Sequence, residues 1–380
     1  MGVGTTRLLT NHKTAINIGD MKLNRTAPLS MPEKLARLVE AGITPMLWGV
    51  PGVGKTAMVL RDVALITGRP VIHVPLGGKP PEEVAGFLVD PGQEAKALQV
   101  KLTWWADLAF EAGNAIVLLD ELGSTSPTTQ AAGLAVLQEK RMGKFRFPEG
   151  VRFIGAGNPL GTGADGSLMA PPMATRLMHF VCKADPDGWA EGALTRWGAG
   201  FDNPSQAEAY TLVSAFIKSF PGRLVVYPGD QVYDQEDPRI GWPNYRSWEM
   251  VAKSIGALGG IDEEAVVGAL GVGEASAFVE WALAQDMPDI RDVLASAGSF
   301  VFPKGQDKFL AILDGVLALT SADHGLWDPA WELYDRAMQA RPDLAYPAAV
   351  RLAKFGAGQR LPMPRNHMGI VAQIQKEVGL

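Results

Sequence analysis

The pattern of apolar and polar positions divides the chain near its midpoint. Up to about Ala184, short apolar runs alternate with longer amphipathic stretches. Thr44 to Trp48, Val71 to Val74, Ala115 to Leu119, Val151 to Ala156 and Met178 to Cys182 read as strands. Their nearly unbroken apolar character marks strands covered on both faces, as in a parallel sheet, rather than the alternation of a sheet with one wet face. Helices fit between them. Ser30-Met-Pro-Glu33 supplies an N-cap serine and a capping-box glutamate, starting a helix that runs to about Glu40 and stops near Gly42. Further helices are predicted from Lys55 to about Thr67, halted by Gly68 and Pro70, from Trp105 to Ala112, and from Pro127 to Lys140. Between Phe87 and Trp105, β-prone Val100, Leu102 and Trp104 follow a turn signal at Asp90-Pro91-Gly92, predicting a hairpin; Lys144 to Phe147 suits a strand of a smaller one. Strands alternating with helices in this way imply an α/β layer architecture.

After about Ala184 the strand signal fades. Gln206 to Lys218, Tyr245 to Ile255, Glu274 to Gln285 and Lys308 to Leu319 have helical periodicity, and the chain stays helical beyond Met287, with connectors rich in Trp and Pro. A stretch rich in Gly and Asp between Ala184 and Asn203 is the expected boundary. This gives an α/β unit over 1–190 with hairpin inserts, a helical unit over 204–287 and a helical extension over 288–380. With 380 residues, 47% hydrophobic and 20% charged, the chain can bury a sizeable core, which excludes global disorder. The net charge of −6 is not that of a uniformly basic nucleic-acid binder, although a local basic patch is compatible with it. The single cysteine, Cys182, excludes a disulfide framework within the chain and fits a reducing cytoplasm. The first twenty residues lack the apolar run of a signal peptide, and Phe309 to Leu319 is short and carries Asp314, fitting a buried helix better than a membrane span.

Candidate chemistry sits at the strand ends. Gly49-Val-Pro-Gly52-Val-Gly54-Lys55-Thr56 matches G-x-x-x-x-G-K-S/T at every fixed position, between a predicted strand and a predicted helix. Glycines let backbone N–H groups turn inward around phosphates, and the helix that follows directs its positive end at the same anion. Gly49, Pro51, Gly52, Val53, Gly54, Lys55, Thr56 and Ala57 are therefore the candidate nucleotide-binding residues, with Lys55 reaching the β and γ phosphates. The Thr56 hydroxyl and Asp120 are the candidate Mg²⁺ ligands, Asp120 directly or through water. Asp120 and Glu121 end the apolar run from Ala115, so Glu121 can polarise an attacking water. Asn158, at the end of the run from Val151, can orient that water or touch the γ-phosphate.

With these elements in this order, the segment from about Ser30 to Trp248 resembles the AAA+ ATPases, and within them the MoxR-like group. Ser126-Pro-Thr-Thr-Gln130 after the acid pair resembles the family's helix with a Pro-x-x-Gln start, and the two hairpins lie where the clade carries its helix-2 insert and pre-sensor hairpin. The resemblance implies an AAA+ P-loop domain on a parallel five-stranded sheet, followed by an α-helical lid and a helical C-terminal region. It implies that Asn158 is the first sensor, that Arg176 is an arginine finger reaching a neighbouring subunit's γ-phosphate, and that Arg246 is the second sensor on the lid. The family more often shows Asp-Arg-Phe where this chain has Thr175-Arg176-Leu177, and often Asn where it has Gly123. Ile16-Asn-Ile18-Gly19 resembles an adenine-side segment. The implied function is cytoplasmic ATP hydrolysis with Mg²⁺ in a homo-oligomeric ring, a hexamer by analogy. Such a ring would act as a chaperone that remodels or activates a protein client, including a separate von Willebrand A domain protein, with no membrane association.

Two other readings compete. The basic cluster Lys140, Arg141, Lys144 and Arg146, interleaved with Phe145 and Phe147, would suit a motor on nucleic acid, against the plainer reading of a solvated hairpin. An ATP-gated scaffold with little turnover is the third, and the intact Glu121 argues against it. The five histidines show no metal-ligand spacing; His73 and His179 fall in predicted strands as core or strand-end residues. Cys182 reads as a buried thiol, and the tryptophans read as packing rather than a binding platform.

Overall fold

The computed structural model of the chain describes residues 29–89, 99–159, 169–229 and 241–362. The Ile16–Gly19 segment and the Asp90-Pro91-Gly92 turn lie outside them. Its centre is a five-stranded sheet built from β1 (Pro45–Trp48), β2 (Val71–Pro75), β5 (Ile116–Asp120), β8 (Arg152–Gly157) and β9 (Met178–Val181), in the order β2-β5-β8-β1-β9. Every neighbouring pair is parallel, with Val71 opposite Ile116, Leu118 opposite Ile154, Met46 opposite Gly155 and Pro45 opposite Met178. The architecture is the expected one, an α/β domain on a parallel five-stranded sheet with a helical region after it.

Side chains alternate across a strand, so a strand buried on both sides must be apolar at every position. β5 shows this directly. Ile116 and Leu118 pack with Leu35, Val39, Val59 and Val63 on one face, while Val117 and Leu119 pack with Val74, Trp105 and Val136 on the other. These four apolar side chains are fully buried, each contributing about 1.5–3 kcal/mol of transfer free energy. The covering helix Met31–Glu40 begins with the capping box read from its sequence: the Ser30 hydroxyl accepts from the Glu33 N–H, and the Glu33 carboxylate accepts from the Ser30 N–H at 2.8 Å.

The helix after β1 runs from Lys55 to Thr67, but Val59–Val63 is wound as a π-helix between two α-helical turns, and Gly68 at φ +65° ends it. Both predicted hairpins are present. β3 (Phe87–Val89) pairs antiparallel with β4 (Gln99–Lys101), and β6 (Arg141–Met142) with β7 (Phe145–Arg146). The helix Pro127–Glu139 starts at Ser126, whose hydroxyl accepts from the Thr129 N–H, and Gln130 points inward. Gln130 is fully buried, donates to the Thr125 carbonyl at 3.1 Å and accepts from the Ala170 N–H at 2.7 Å. It thereby ties the loop behind the acid pair to the segment leading into β9.

From Pro186 to Gly358 the described chain is helical, and its helices bury one continuous core around Trp189, Phe216, Trp248, Phe278, Phe309 and Trp331. The Gln306–Ala322 helix is apolar on nearly every side because it lies inside this core, with Asp314 buried among its neighbours. No helix among the described residues is long and apolar enough to cross a membrane.

Candidate functional site

β1, β5 and β8 are adjacent and parallel, so their carboxyl ends open on one edge, where α/β sheets bind ligands. The glycine-rich loop leaves β1 there. Gly52 and Gly54 take φ of +77° and +88°, values open to glycine at no steric cost. A Cβ on Gly52 would stand 2.6 Å from the Asn244 side chain, and one on Gly54 2.8 Å from the Tyr245 ring. The loop is thus short of room as well as unusual in backbone, because the helix Tyr245–Leu258 from the helical region presses its first residues against it. The Tyr245 N–H donates to the Gly52 carbonyl at 3.1 Å.

Lys55, 8% exposed, folds its ammonium back over the loop. Nζ donates to the Gly49 carbonyl at 2.7 Å, to the Val50 carbonyl at 3.2 Å and to Asn158 Oδ1 at 2.9 Å. Burial pulls its pKa below the ordinary lysine value, with Asp120 partly opposing the shift. An anion arriving in the loop would offer the ammonium a better acceptor than neutral carbonyls and would favour its charged form.

The Thr56 hydroxyl donates to Asp120 Oδ2 at 2.6 Å. Asp120 Oδ1 accepts the Glu121 N–H at 3.0 Å, and His73 Nε2 lies 3.0 Å from Asp120 Oδ2. His73 is a correction to the sequence reading. It is half-exposed, in the middle of β2, and reaches Asp120 on the neighbouring strand, neither filling the core nor standing at the strand end. His179 is exposed too, accepting the Trp48 indole N–H at 2.8 Å while stacking on that ring. Gly123 makes room for the same indole: a Cβ there would lie 2.7 Å from the Trp48 ring, so a larger residue at this position would have to displace that ring. Glu121 takes left-handed φ of +60° and lays its carboxylate against Gly77, where a Cβ would collide with Oε2 at 1.7 Å.

A cleft of about 1380 Å³ opens at this edge of the sheet. Pro51, Gly52, Val53, Gly54, Lys55, Thr56, Ala57, Asp120, Glu121 and Asn158 face it from the sheet unit, and Arg246 from the first turn of the Tyr245 helix. Gly49 meets the site through its carbonyl on Lys55. Arg176 does not line the cleft. It is exposed beside the helix Pro171–Ala174, with Nε donating to Gln138 Oε1 at 2.6 Å and Nη1 to the Pro172 carbonyl at 2.5 Å.

Sequence reasoning missed several cleft residues. Trp197, in a left-handed conformation at φ +53°, carries the Arg61 guanidinium 5.0 Å above its ring. The tryptophans are otherwise mainly packing, with Trp105, Trp248 and Trp331 fully buried. Cys182 lines the cleft half-buried, and burial pushes its thiol pKa up, so it is not an activated nucleophile. The basic hairpin also differs from its sequence appearance. Phe147 is buried and stacks on Trp105 and Phe110, and Lys140 lies 4.5 Å above the Phe153 ring.

Mg²⁺ takes oxygen ligands and keeps several waters. A hydroxyl that donates its one proton to a carboxylate still presents lone pairs, so Thr56 bonded to Asp120 fits such an ion. Among the described residues no group of three or more His, Cys, Asp or Glu side chains could hold a metal by itself. The remaining ligands here would therefore come from phosphate and water.

No protein-family model matches the chain, and no curated protein matches it. Among solved structures it is similar to NtrX from Brucella abortus in complex with ADP, at 15% identity and a TM-score of 0.39, covering 87% of this chain and 70% of that one. It is also similar to a point mutant of RuvB from Thermotoga maritima, at 12% identity and a TM-score of 0.35, covering 81% of this chain and 86% of that one. Likenesses this distant leave the cleft to be judged by its own geometry.

Proposed function

We propose that the cleft binds ATP with Mg²⁺ and hydrolyses it, and that the protein is an ATPase of the AAA+ type, of its MoxR-like group. The observation that carries this is the 2.6 Å hydrogen bond from Thr56 to Asp120, made beside the buried Lys55 at the open end of a glycine loop. Two oxygen donors from separate elements, 64 residues apart, meet where a phosphate-bound metal needs them. The bound ion would neutralise phosphate charge as it develops. Lys55 exchanges its carbonyl acceptors for phosphate oxygens, and the N–H groups of the loop and first helical turn hold the same anion. Asn158, already bonded to Lys55, would meet the γ-phosphate end, where Glu121 would take up the proton of the attacking water. Arg246 closes on the phosphates from the helical side.

Arg176, exposed and outside its own chain's cleft, is suited to completing the site of a neighbouring copy, which supports a ring, a hexamer in our reading. The client is a protein, with a separate von Willebrand A domain protein among the candidates. The buried Phe147 and the folded-in Lys140 weigh against a nucleic-acid motor, since neither is free to stack on bases or follow a phosphate backbone. The test is a pair of substitutions. Lys55→Ala is expected to abolish ATP binding, whereas Glu121→Gln is expected to bind ATP and lose about 10²–10⁴-fold in turnover, the usual worth of a general base. Retained binding in the first would remove the phosphate-loop assignment, and undiminished turnover in the second would favour an ATP-gated scaffold.

A further inference from the structure

We infer that His73 is a positioning residue for the metal site, holding the Asp120 carboxylate in the orientation in which it serves a nucleotide-bound divalent cation. The inference deepens the nucleotide reading above and rests on it. β2 runs beside β5 in the register that sets Pro75 opposite Asp120 and His73 opposite Leu118. His73 is therefore two positions along the neighbouring strand from the residue facing Asp120, on the same side of the sheet, within reach of a long side chain. Its Nε2 lies 3.0 Å from Asp120 Oδ2. A carboxylate oxygen can only accept, so Nε2 carries the proton and donates.

Asp120 Oδ2 then accepts from both Thr56 and His73, while Oδ1 accepts the Glu121 N–H. These donors fix both torsions of a short side chain standing at a strand end. Without His73, the carboxylate would keep the Thr56 and Glu121 N–H bonds but lose the second donor on Oδ2, and its plane could tilt between the two that remain. The lone pair offered to the cation, or to one of its waters, would then be spread over several directions. Partners of this outer kind orient the groups that touch a metal, and their loss typically costs about 10- to 100-fold in metal affinity. The His73 side chain is 37% exposed and the residue lies outside the buried core, so its truncation leaves sheet packing intact.

The test uses the full chain, with Mn²⁺ as the probe and ADP as the nucleotide. Mn²⁺ uptake is followed by electron paramagnetic resonance, and ADP binding is measured separately in EDTA. His73→Ala is expected to weaken Mn²⁺ uptake into the ADP complex by roughly 10-fold or more while leaving ADP affinity in EDTA unchanged. His73→Gln, whose amide can donate to the same oxygen, is expected to recover most of the loss. Wild-type Mn²⁺ affinity in His73→Ala would overturn the inference. So would an equal loss of ADP affinity in EDTA in both variants, which would mark a purely structural role. A wild-type protein that binds ADP with no gain from Mn²⁺ would instead sink the metal site, whereas a wild-type protein that binds no ADP at all would sink the nucleotide reading.

Discussion

Gly54 shows how closely one residue can be specified. Its φ of +88° costs a side-chain-bearing residue about 1–2 kcal/mol. The Tyr245 ring, 2.8 Å from where a Cβ would lie, adds a collision with an aromatic that is itself fixed through its hydroxyl to the Asp185 backbone at 2.6 Å. Gly54→Ala is therefore expected to fold with a lowered Tm and to lose nucleotide affinity, because the loop can relieve the clash only by moving its N–H groups. Isothermal titration with ADP checks this, and unchanged affinity would show that the loop tolerates the shift. The glycines, Lys55, Thr56 and the acid pair were legible because their spacing along one strand–loop–helix or one strand end is itself the signal. His73 was not, since 47 residues separate it from Asp120 and only strand register joins them. Trp197 and Tyr245 were hidden for the same reason: each enters the cleft from the helical region, by packing that no local pattern records.

The short hairpin after the helix Pro127–Glu139 shows what a local pattern misreads at the level of elements. The solvated reading holds for Arg141, Lys144 and Arg146, which are exposed, but Phe147 belongs to the cluster of Trp105, Phe110 and Phe153, and the chain turns through Lys140 at φ +51° to deliver it there. Lys140 is drawn in with it, and burial, aided by Arg152, lowers its pKa to about 8. An unfolded lysine titrates near ~10.4, so between about pH 8 and pH 10 the unfolded chain holds this proton more tightly than the folded one. Stability from this group therefore rises with pH across that window, and the whole burden of the buried charge is carried below it. In urea denaturation, the stability of Lys140→Met relative to the wild type is expected to be greatest near neutrality and to decline toward pH 10. A difference that stays flat with pH would mean the ammonium is as well solvated when folded as when unfolded. The strands and main helices were read close to their observed bounds because periodicity and caps are local. The destination of Phe147 was not, because it depends on three aromatics from other elements.

Across the whole molecule, the helical half is tied together by one buried charge. Asp314, 3% exposed, accepts from Lys218 Nζ at 2.5 Å and from Arg351 Nη2 at 2.7 Å, and Arg351 also reaches Glu191 at 3.1 Å. Helices Pro186–Ala193, Pro204–Ser219, Gln306–Ala322 and Pro342–Gly358 all contribute to this network. Asp314→Ala would leave two cations facing each other over a vacated site, and a loss of about 3–5 kcal/mol is expected in chemical denaturation. A loss under about 1 kcal/mol would mean that water reaches and screens the pair. The sequence showed Asp314 interrupting an apolar helix but not which partners it would find. The same helical half sends the backbone of Tyr245 to the carbonyl of Gly52, at the centre of the phosphate loop. A change in the angle between the halves would therefore pull on the loop. If a filled loop prefers one angle between the two halves, a molecule held at that angle must prefer to be filled, by the same free energy. On the proposed nucleotide reading, anything that grips the distal helices would then act as an effector of nucleotide affinity without ever touching the nucleotide.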